Sequence, residues 1–174
     1  MKIVVRAIAA AAAFGMAGGM ATGVVAGPRA KVGQAAPAFN LVTWDKRKVS
    51  LADLKGKVVV INHWATWCGP CKAEMPMMSA FHHKLHDRGF EIFGVTTEDS
   101  VPEYMLKKLA GVLSYPLVHR FSGDGYPVLD AVPTSYVIDR RGVVRYAKAG
   151  SFEPREFADL ILPLLNEPGP AAAN

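Results

Sequence analysis

The two cysteines of this 174-residue chain stand three positions apart, in the run Trp67-Cys68-Gly69-Pro70-Cys71. Two cysteines cannot build a disulfide framework, and they supply too few ligands for a structural zinc site. An apolar, β-branched run, residues 58–61, precedes them, and residues with helical spacing follow. Two thiols at a strand-to-helix junction close a small ring that opens and forms again readily, which predicts thiol–disulfide exchange.

The same position predicts different roles for the two thiols. Cys68 stands just before the start of a helix, where free N–H groups and the positive end of the helix dipole favour a thiolate. Cys71 lies one turn into the helix and is expected to face inward. We therefore expect Cys68 to form a mixed disulfide with a target and Cys71 to resolve it. This exchange requires no cofactor, and we predict no metal site among these residues.

The apolar pattern of the chain predicts a β-β-β-α-β-α-β-β-β-α order. Ser50 is expected to cap the short helical turn at 51–54, and Asp99 or Ser100 the second long helix. The expected strands are 39–42, a return strand from 49, 58–64, 92–96, 117–118, 135–138 and 143–146, and the expected helices are 70–88, 102–113 and 154–165. Strands joined by helical crossovers and followed by a hairpin imply an α/β fold, a mixed sheet with helices on both faces.

The first 26 residues have the pattern of an export signal. Lys2 and Arg6 form a short positive region, and residues 7–28 carry no charge. Small residues before Ala26 predict cleavage after it. The alternative is an uncleaved membrane anchor, since 22 uncharged residues can span a bilayer. Both interpretations place the rest of the chain outside the cytoplasm, where disulfides persist.

Residues 27–166 have the length of one domain, and residues 167–174 are expected to be a flexible tail. The net charge of the chain is +5, and loss of the two cationic residues of the leader would leave +3. The basic residues are interspersed with acidic ones, so we expect no nucleic-acid partner.

Several further motifs accompany the cysteine run. They are 33–39 (GQAAPAF), 60–68 (VINHWATWC), 71–76 (CKAEMP), Val132-Pro133-Thr134 and 136–142 (YVIDRRG). Together they resemble the thioredoxin superfamily, and within it the exported TlpA/ResA-like branch, over about residues 32 to 165. The resemblance implies a thioredoxin fold with an N-terminal β-hairpin and a central helix–strand insert at 98–125.

The resemblance also implies the positions of the site residues. Cys68 corresponds to the nucleophile and Cys71 to the resolving thiol of the redox disulfide. Val132–Pro133 corresponds to a cis peptide that lies against this disulfide and pairs with an extended substrate segment. The residues expected to border the substrate are Trp67, Gly69, Pro70, Val132 and Pro133.

Glu74 is the third expected catalytic residue. It follows Cys71 by three positions and so shares a helix face with it. If it is buried, its pKa is raised, and it can accept or return the proton of Cys71. TlpA/ResA-like proteins carry an acidic residue here, whereas general thioredoxins have a buried aspartate on the preceding strand, where this chain has Asn62. The alternative is a solvated helix glutamate.

The dipeptide Gly69-Pro70 resembles the reducing members of the superfamily. A reductant outside the cytoplasm needs electrons, and the resemblance suggests a membrane thiol transporter as their source. Expected substrates are cysteine pairs of exported proteins, such as the haem-attachment cysteines of apocytochrome c or the cysteines of copper sites. The alternatives are a disulfide-forming oxidase and a copper carrier that uses Cys68 and Cys71 as ligands.

The histidines are expected to have structural roles. His63 stands where the family has an apolar residue, and we expect it to face the core rather than the active site. His82, His83 and His86 lie on the first long helix, and His82 and His86 share a face that could bind a transition metal. Exposed histidines more often simply solvate a helix, so this site is not predicted.

Overall fold

A computed structural model of the protein describes residues 28–97 and 101–169. The expected signal or anchor, the candidate caps Asp99 and Ser100, and residues 170–174 of the expected tail lie outside these ranges. Among the helices of the described ranges, none has the length and apolar character needed to cross a membrane.

The elements follow the predicted order. The strands are β1 (Asn40–Thr43), β2 (Lys48–Ser50), β3 (Val58–Trp64), β4 (Phe90–Thr96), β5 (Leu117–Ser122), β6 (Thr134–Ile138) and β7 (Val144–Ala149). The helices are α1 (Gly69–Leu85), α2 (Glu103–Ala110) and α3 (Pro154–Asn166), with short 3₁₀ turns at Leu51–Leu54 and His86–Arg88. Ser50 caps the first of these turns in a capping box with Asp53, as the sequence predicts.

The seven strands form one mixed sheet in the order β2-β1-β5-β4-β3-β6-β7. The central pairs β3–β4 and β4–β5 are parallel, and the outer pairs are antiparallel. All seven residues of β3 are buried. This strand runs through the middle of the fold and delivers the chain directly to the cysteine run.

The two faces of the sheet are covered differently. Val58, Val60 and Trp64 of β3 face one core cluster, which contains the buried side chains of all three α-helices. Val59 and Ile61 face the other cluster, where the only helical cover within the described ranges is the 3₁₀ turn at Leu51–Leu54. Helices were expected on both faces. The crossovers through α1 and α2 both step in the same direction across the sheet, and right-handed connections therefore place both helices on one face.

Two elements differ in length from the prediction. Helix α2 ends at Ala110 instead of 113, with Gly111 as its C-cap, and glycine is unfavourable inside a helix. Strand β5 extends to Ser122 instead of Val118, because β1 pairs with it in antiparallel register, with Leu41 opposite Phe121. Such a pairing between distant segments leaves no local pattern in the sequence.

The Ile-Asp-x-x-Gly motif forms the turn between β6 and β7. One carboxylate oxygen of Asp139 accepts the backbone N–H groups of Arg141 and Val143, each at 2.9 Å, and the other accepts Nε of Arg145 at 2.6 Å. Burial alone would raise the pKa of Asp139, but these hydrogen bonds outweigh it and lower the pKa. Gly142 follows with a φ of 79°, which favours glycine.

Candidate active site at the N-terminus of helix α1

The two cysteines are joined by a disulfide at the end of the central strand. Their Cα atoms lie 5.3 Å apart. Cys68 is the N-cap of α1, and its Sγ accepts the backbone N–H of Cys71 at 3.1 Å. Pro70 occupies the first turn, where its missing N–H costs nothing. The predicted strand-to-helix junction is therefore present, with the N–H of Cys71 directed at the Cys68 sulfur.

The cysteines are covered, while their neighbours are exposed. Cys71 faces inward as expected and exposes 1% of its surface, and Cys68 exposes 3%. Trp67 exposes 70%, and Gly69 and Pro70 are also exposed. In the oxidised form the two cysteines thus differ less in exposure than their positions in the sequence predict. Three of the five residues expected to border the substrate, Trp67, Gly69 and Pro70, thus form the surface around the disulfide.

The Val132–Pro133 peptide is cis and lies over Cys68. The Val132 carbonyl oxygen is 3.6 Å from Cys68 Sγ, a contact rather than a hydrogen bond, because a disulfide sulfur carries no proton. The Pro133 carbonyl accepts the N–H of Gly150 at 2.8 Å. Thr134 Oγ1 donates to the Ala131 carbonyl at 2.5 Å, so the loop is held from both sides.

Glu74 lies buried on the inward face of α1, with 3% of its surface exposed. Its Oε1 accepts Nδ2 of Asn62 at 2.9 Å, and its Oε2 accepts the backbone N–H of Phe152 at 2.9 Å. Burial raises the pKa of Glu74, and the two hydrogen bonds offset this rise in part. The expected burial and raised pKa are thus present, and the alternative of a solvated glutamate is wrong.

Sequence reasoning missed part of the surroundings of Glu74. Asn62 also donates to Ser135 Oγ at 3.0 Å, which links β3 to β6 beneath the carboxylate. Phe152 contributes only its backbone N–H, 78 residues further along the chain, so no side-chain motif indicates it. Tyr115 is buried on the same face of the sheet, and burial, followed by the charge of Glu74, raises its pKa.

His63 points away from this site. It alternates with Asn62 along β3 and so faces the other side of the sheet, where its ring lies 6.1 Å from that of Phe121 and 6.2 Å from that of Tyr136. Burial lowers the pKa of His63 to about 4, against a smaller opposing effect of its hydrogen bond to the backbone of Tyr126. The expected placement in the core is confirmed.

A groove of about 830 Å³ runs along α1 beside the disulfide. Its α1 wall begins at Lys72, the residue after Cys71, and its opposite wall belongs to the expected insert. The lining residues are Trp64, Thr66, Lys72, Met75, Pro76, Ser79, Ala80, His83, Leu109, Val112, Leu113 and Ser114. The groove is mainly apolar, and Val112 at its edge exposes 74% of its surface.

Comparison with known proteins agrees with this geometry. Residues 32–147 match the model of the AhpC/TSA family. The chain belongs to the AhpC/TSA family. It is 34% identical over 129 residues to the thiol-disulfide oxidoreductase ResA of Oceanobacillus iheyensis, an alignment that covers 70% of this chain and 66% of ResA. It is 31% identical over 146 residues to the thiol:disulfide interchange protein DsbE of Pseudomonas aeruginosa, with 80% and 78% covered.

A solved structure has the same fold. The thiol:disulfide interchange protein of Chlorobium tepidum TLS superposes with a TM-score of 0.65 at 31% identity, over 76% of this chain and 97% of that one. The resemblance to TlpA/ResA-like proteins and the thioredoxin fold are thereby confirmed. This member of the AhpC/TSA family is a thioredoxin-like thiol–disulfide oxidoreductase, and it carries a Cys68–Cys71 disulfide at the start of α1.

Proposed function

We propose that this family member reduces disulfides in other exported proteins. The observation that carries the proposal is a cysteine pair at the exposed start of α1 with a buried carboxylate, Glu74, on the same helix face. The direction rests on Gly69-Pro70, the dipeptide that resembles reducing members of the superfamily.

The exchange proceeds in two balanced steps. In the reduced protein, the Cys68 thiolate attacks one sulfur of the target disulfide, forming a mixed disulfide and releasing one target thiolate. The Cys71 thiolate then attacks Cys68 Sγ, which forms the Cys68–Cys71 disulfide and releases the second target thiolate. Two electrons pass to the target, and an external dithiol must return two electrons to the protein.

Glu74 is proposed to take the proton of Cys71 in the second step. A thiol must lose its proton before it attacks, and Cys71 exposes only 1% of its surface, so solvent has little access to take that proton. Burial raises the pKa of Glu74 toward neutral pH, where the carboxyl can both accept a proton and return it. Asn62 and the N–H of Phe152 hold both oxygens of the carboxylate in place, so they are positioning groups.

The substrate is proposed to bind as an extended segment across the exposed surface formed by Trp67, Gly69 and Pro70. Within residues 28–97 and 101–169, the backbone N–H of Val132 donates to no other backbone group. It remains available to pair with a substrate strand beside Cys68. Pro133 offers no donor at the next position, which limits the pairing to Val132.

The groove along α1 is proposed to hold the residues that flank the target cysteines. Replacing Val112 with serine should raise the KM for an oxidised Cys-x-x-Cys-His peptide about tenfold, because one buried valine contributes about 1.5 kcal/mol or more. The rate with the small disulfide 5,5′-dithiobis(2-nitrobenzoate) should stay unchanged, since that probe does not need the groove. A peptide KM equal to that of the wild type would remove the groove from the binding surface.

The wider setting is also a proposal. We infer that residues 1–26 direct export, that residues 27–166 form the catalytic domain outside the cytoplasmic membrane, in the periplasm or on its outer face, and that 167–174 are a tail. Relatives named ResA and DsbE support a protein substrate. Apocytochrome c and copper-site cysteines are the proposed targets, and a membrane thiol transporter is the proposed electron donor.

The reduction potential of the Cys68–Cys71 pair tests the direction. We expect a value near that of thioredoxin, about −270 mV, when the pair is equilibrated with dithiothreitol and trapped by alkylation. A potential near −120 mV would instead indicate a disulfide-forming oxidase. The two values differ by about 7 kcal/mol for two electrons, so the measurement separates the alternatives clearly.

A further inference from the structure

A second cluster of reactive side chains lies at the opposite end of α1 from the disulfide. It consists of His82 on α1, His86 at the start of the following 3₁₀ turn, and Glu91 on β4. One ligand atom from each lies within 4.8 Å of the other two. His82 Nε2 is 3.7 Å from Glu91 Oε2, and His86 Nδ1 is 3.6 Å from Glu91 Oε1.

The cluster contains buried polar atoms that the protein itself does not satisfy. His82 and Glu91 expose 5% and 3% of their surface. Within the described part of the chain, both ring nitrogens of His82 and Oε2 of Glu91 have no hydrogen-bond partner. Buried polar groups are normally paired. His82 Nε2 and Glu91 Oε2 face each other at 3.7 Å without a hydrogen bond, so a group bound between them would satisfy both atoms.

Lys57 fixes the carboxylate in an orientation suited to a metal. Its Nζ lies 2.7 Å from Oε1 of Glu91, which leaves Oε2 free toward His82. Burial would raise the pKa of Glu91, but its contacts with His82 and Lys57 outweigh burial and lower the pKa to about 2. The Lys57 contact therefore holds the carboxylate in place with its second oxygen toward His82.

We propose that His82, His86 and Glu91 bind a divalent transition-metal ion of the Zn²⁺ type. Two imidazoles and one carboxylate form a mixed nitrogen–oxygen set that Zn²⁺ accepts, with Zn–N and Zn–O distances of about 2.0–2.2 Å. Tetrahedral ligands at those distances lie about 3.3–3.5 Å apart. The spacing of 3.7 Å between His82 Nε2 and Glu91 Oε2 needs only a small side-chain adjustment. His86 Nδ1 lies 3.6 Å from the other oxygen, Oε1, so its half-exposed ring must turn toward Oε2.

The site has an entrance and an anchoring role. The side chain of His86 is 48% exposed, so an ion reaches the cluster from solvent and a fourth position stays open to water. Oε1 of Glu91 keeps its hydrogen bond to Lys57, and Lys57 thereby holds this metal ligand in position without contacting the ion. A bound ion would connect the end of α1 to β4.

This site is independent of the proposed reductase chemistry. His82 lies 11 residues after Cys71 along α1, which corresponds to about 16 Å at 1.5 Å per residue. The cysteines are joined to each other in the oxidised form and offer no thiolate. Metal binding to the oxidised protein therefore reports on the histidine cluster alone.

Calorimetric titration with ZnCl₂ tests the proposal. The sample is the full chain without an affinity tag, oxidised and washed free of metal with chelator. We expect one Zn²⁺ per chain, and His86→Gln should weaken binding at least about tenfold, since loss of even an outer partner costs 10–100-fold. Because the His86 side chain is about half exposed, this variant is expected to fold normally.

His83→Gln provides the matched control. His83 is the exposed neighbour of His82 on the same helix, and it is not part of the cluster. The Zn²⁺ affinity of His83→Gln should equal that of the wild type. Zn²⁺ should raise the melting temperatures of the wild type and of His83→Gln, but not that of His86→Gln. Equal affinities of His86→Gln and wild type, or a wild-type Kd weaker than about 0.1 mM, would overturn the proposal.

Discussion

Replacing Cys71 with serine is expected to trap the protein in a covalent complex with its substrate. Cys68 can still attack a target disulfide, but the variant lacks the thiol that resolves the mixed disulfide. Turnover should fall by roughly 10³-fold or more, as happens when one member of a catalytic unit is removed. Non-reducing gel electrophoresis and intact mass, measured after reaction with an oxidised Cys-x-x-Cys-His peptide, should show a one-to-one adduct.

Cys68→Ser is the matched control for this trap. It removes the sulfur that accepts the helix N–H and borders Val132, and it leaves only the inward Cys71. We expect equally low turnover but no stable adduct, because Cys71 lies one turn inside α1 and faces inward, away from the exposed residues Trp67 and Gly69. If the adduct formed in Cys68→Ser and not in Cys71→Ser, the assignment of nucleophile and resolving thiol would be reversed.

The order of the elements could be predicted because it is local information. Residues 58–61 are continuously apolar and β-branched, and the structure places β3 at Val58–Trp64. Pro70 and Gly89 mark the limits of the first long helical region, where α1 and the 3₁₀ turn are found. Periodicity, caps and turn residues lie within a few positions of the structure they specify, so one sequence is enough to find them.

Contacts between distant segments could not be predicted in this way. The catalytic role of Glu74 was expected from its position after Cys71. The residues that complete its surroundings were not, because Ser135 lies on β6 and the backbone of Phe152 lies in the loop before α3. Glu91 reads as one polar residue in an apolar strand. Only the parallel pairing of β3 with β4 and the packing of α1 on β4 bring it to Lys57 and His82.

Replacing Glu74 with glutamine should change how both stability and turnover depend on pH. The pKa of Glu74 is raised in the folded protein, so the folded state holds this proton more tightly than the unfolded chain. The stabilisation that this bound proton gives the folded state is fully present below about 4.5, the pKa of Glu74 in the unfolded chain. It is lost as the pH rises through the pKa of Glu74 in the folded protein. In that window, wild-type stability should fall relative to the variant by up to about 1.4 kcal/mol per pH unit.

Urea unfolding of the oxidised proteins between pH 4 and 8 measures this difference directly. The lowered pKa values of Glu91 and Asp139 affect wild type and variant equally and cancel in the comparison. Glu103→Gln serves as the control, because that helix glutamate is exposed and its loss should leave the profile of the wild type unchanged. Parallel profiles for wild type and Glu74→Gln would show that the carboxyl keeps an ordinary pKa.

The turnover of Glu74→Gln separates proton transfer from packing. Glutamine keeps the size of the side chain but only one of its two hydrogen-bond acceptors, so a purely structural Glu74 predicts a loss shared by both steps of the exchange. A proton acceptor predicts a loss of about 10²-fold, with the loss confined to the step in which Cys71 resolves the mixed disulfide. Stopped-flow mixing should then show a normal first attack by Cys68 and a slow second phase. A slow first phase would instead place the effect of Glu74 on Cys68.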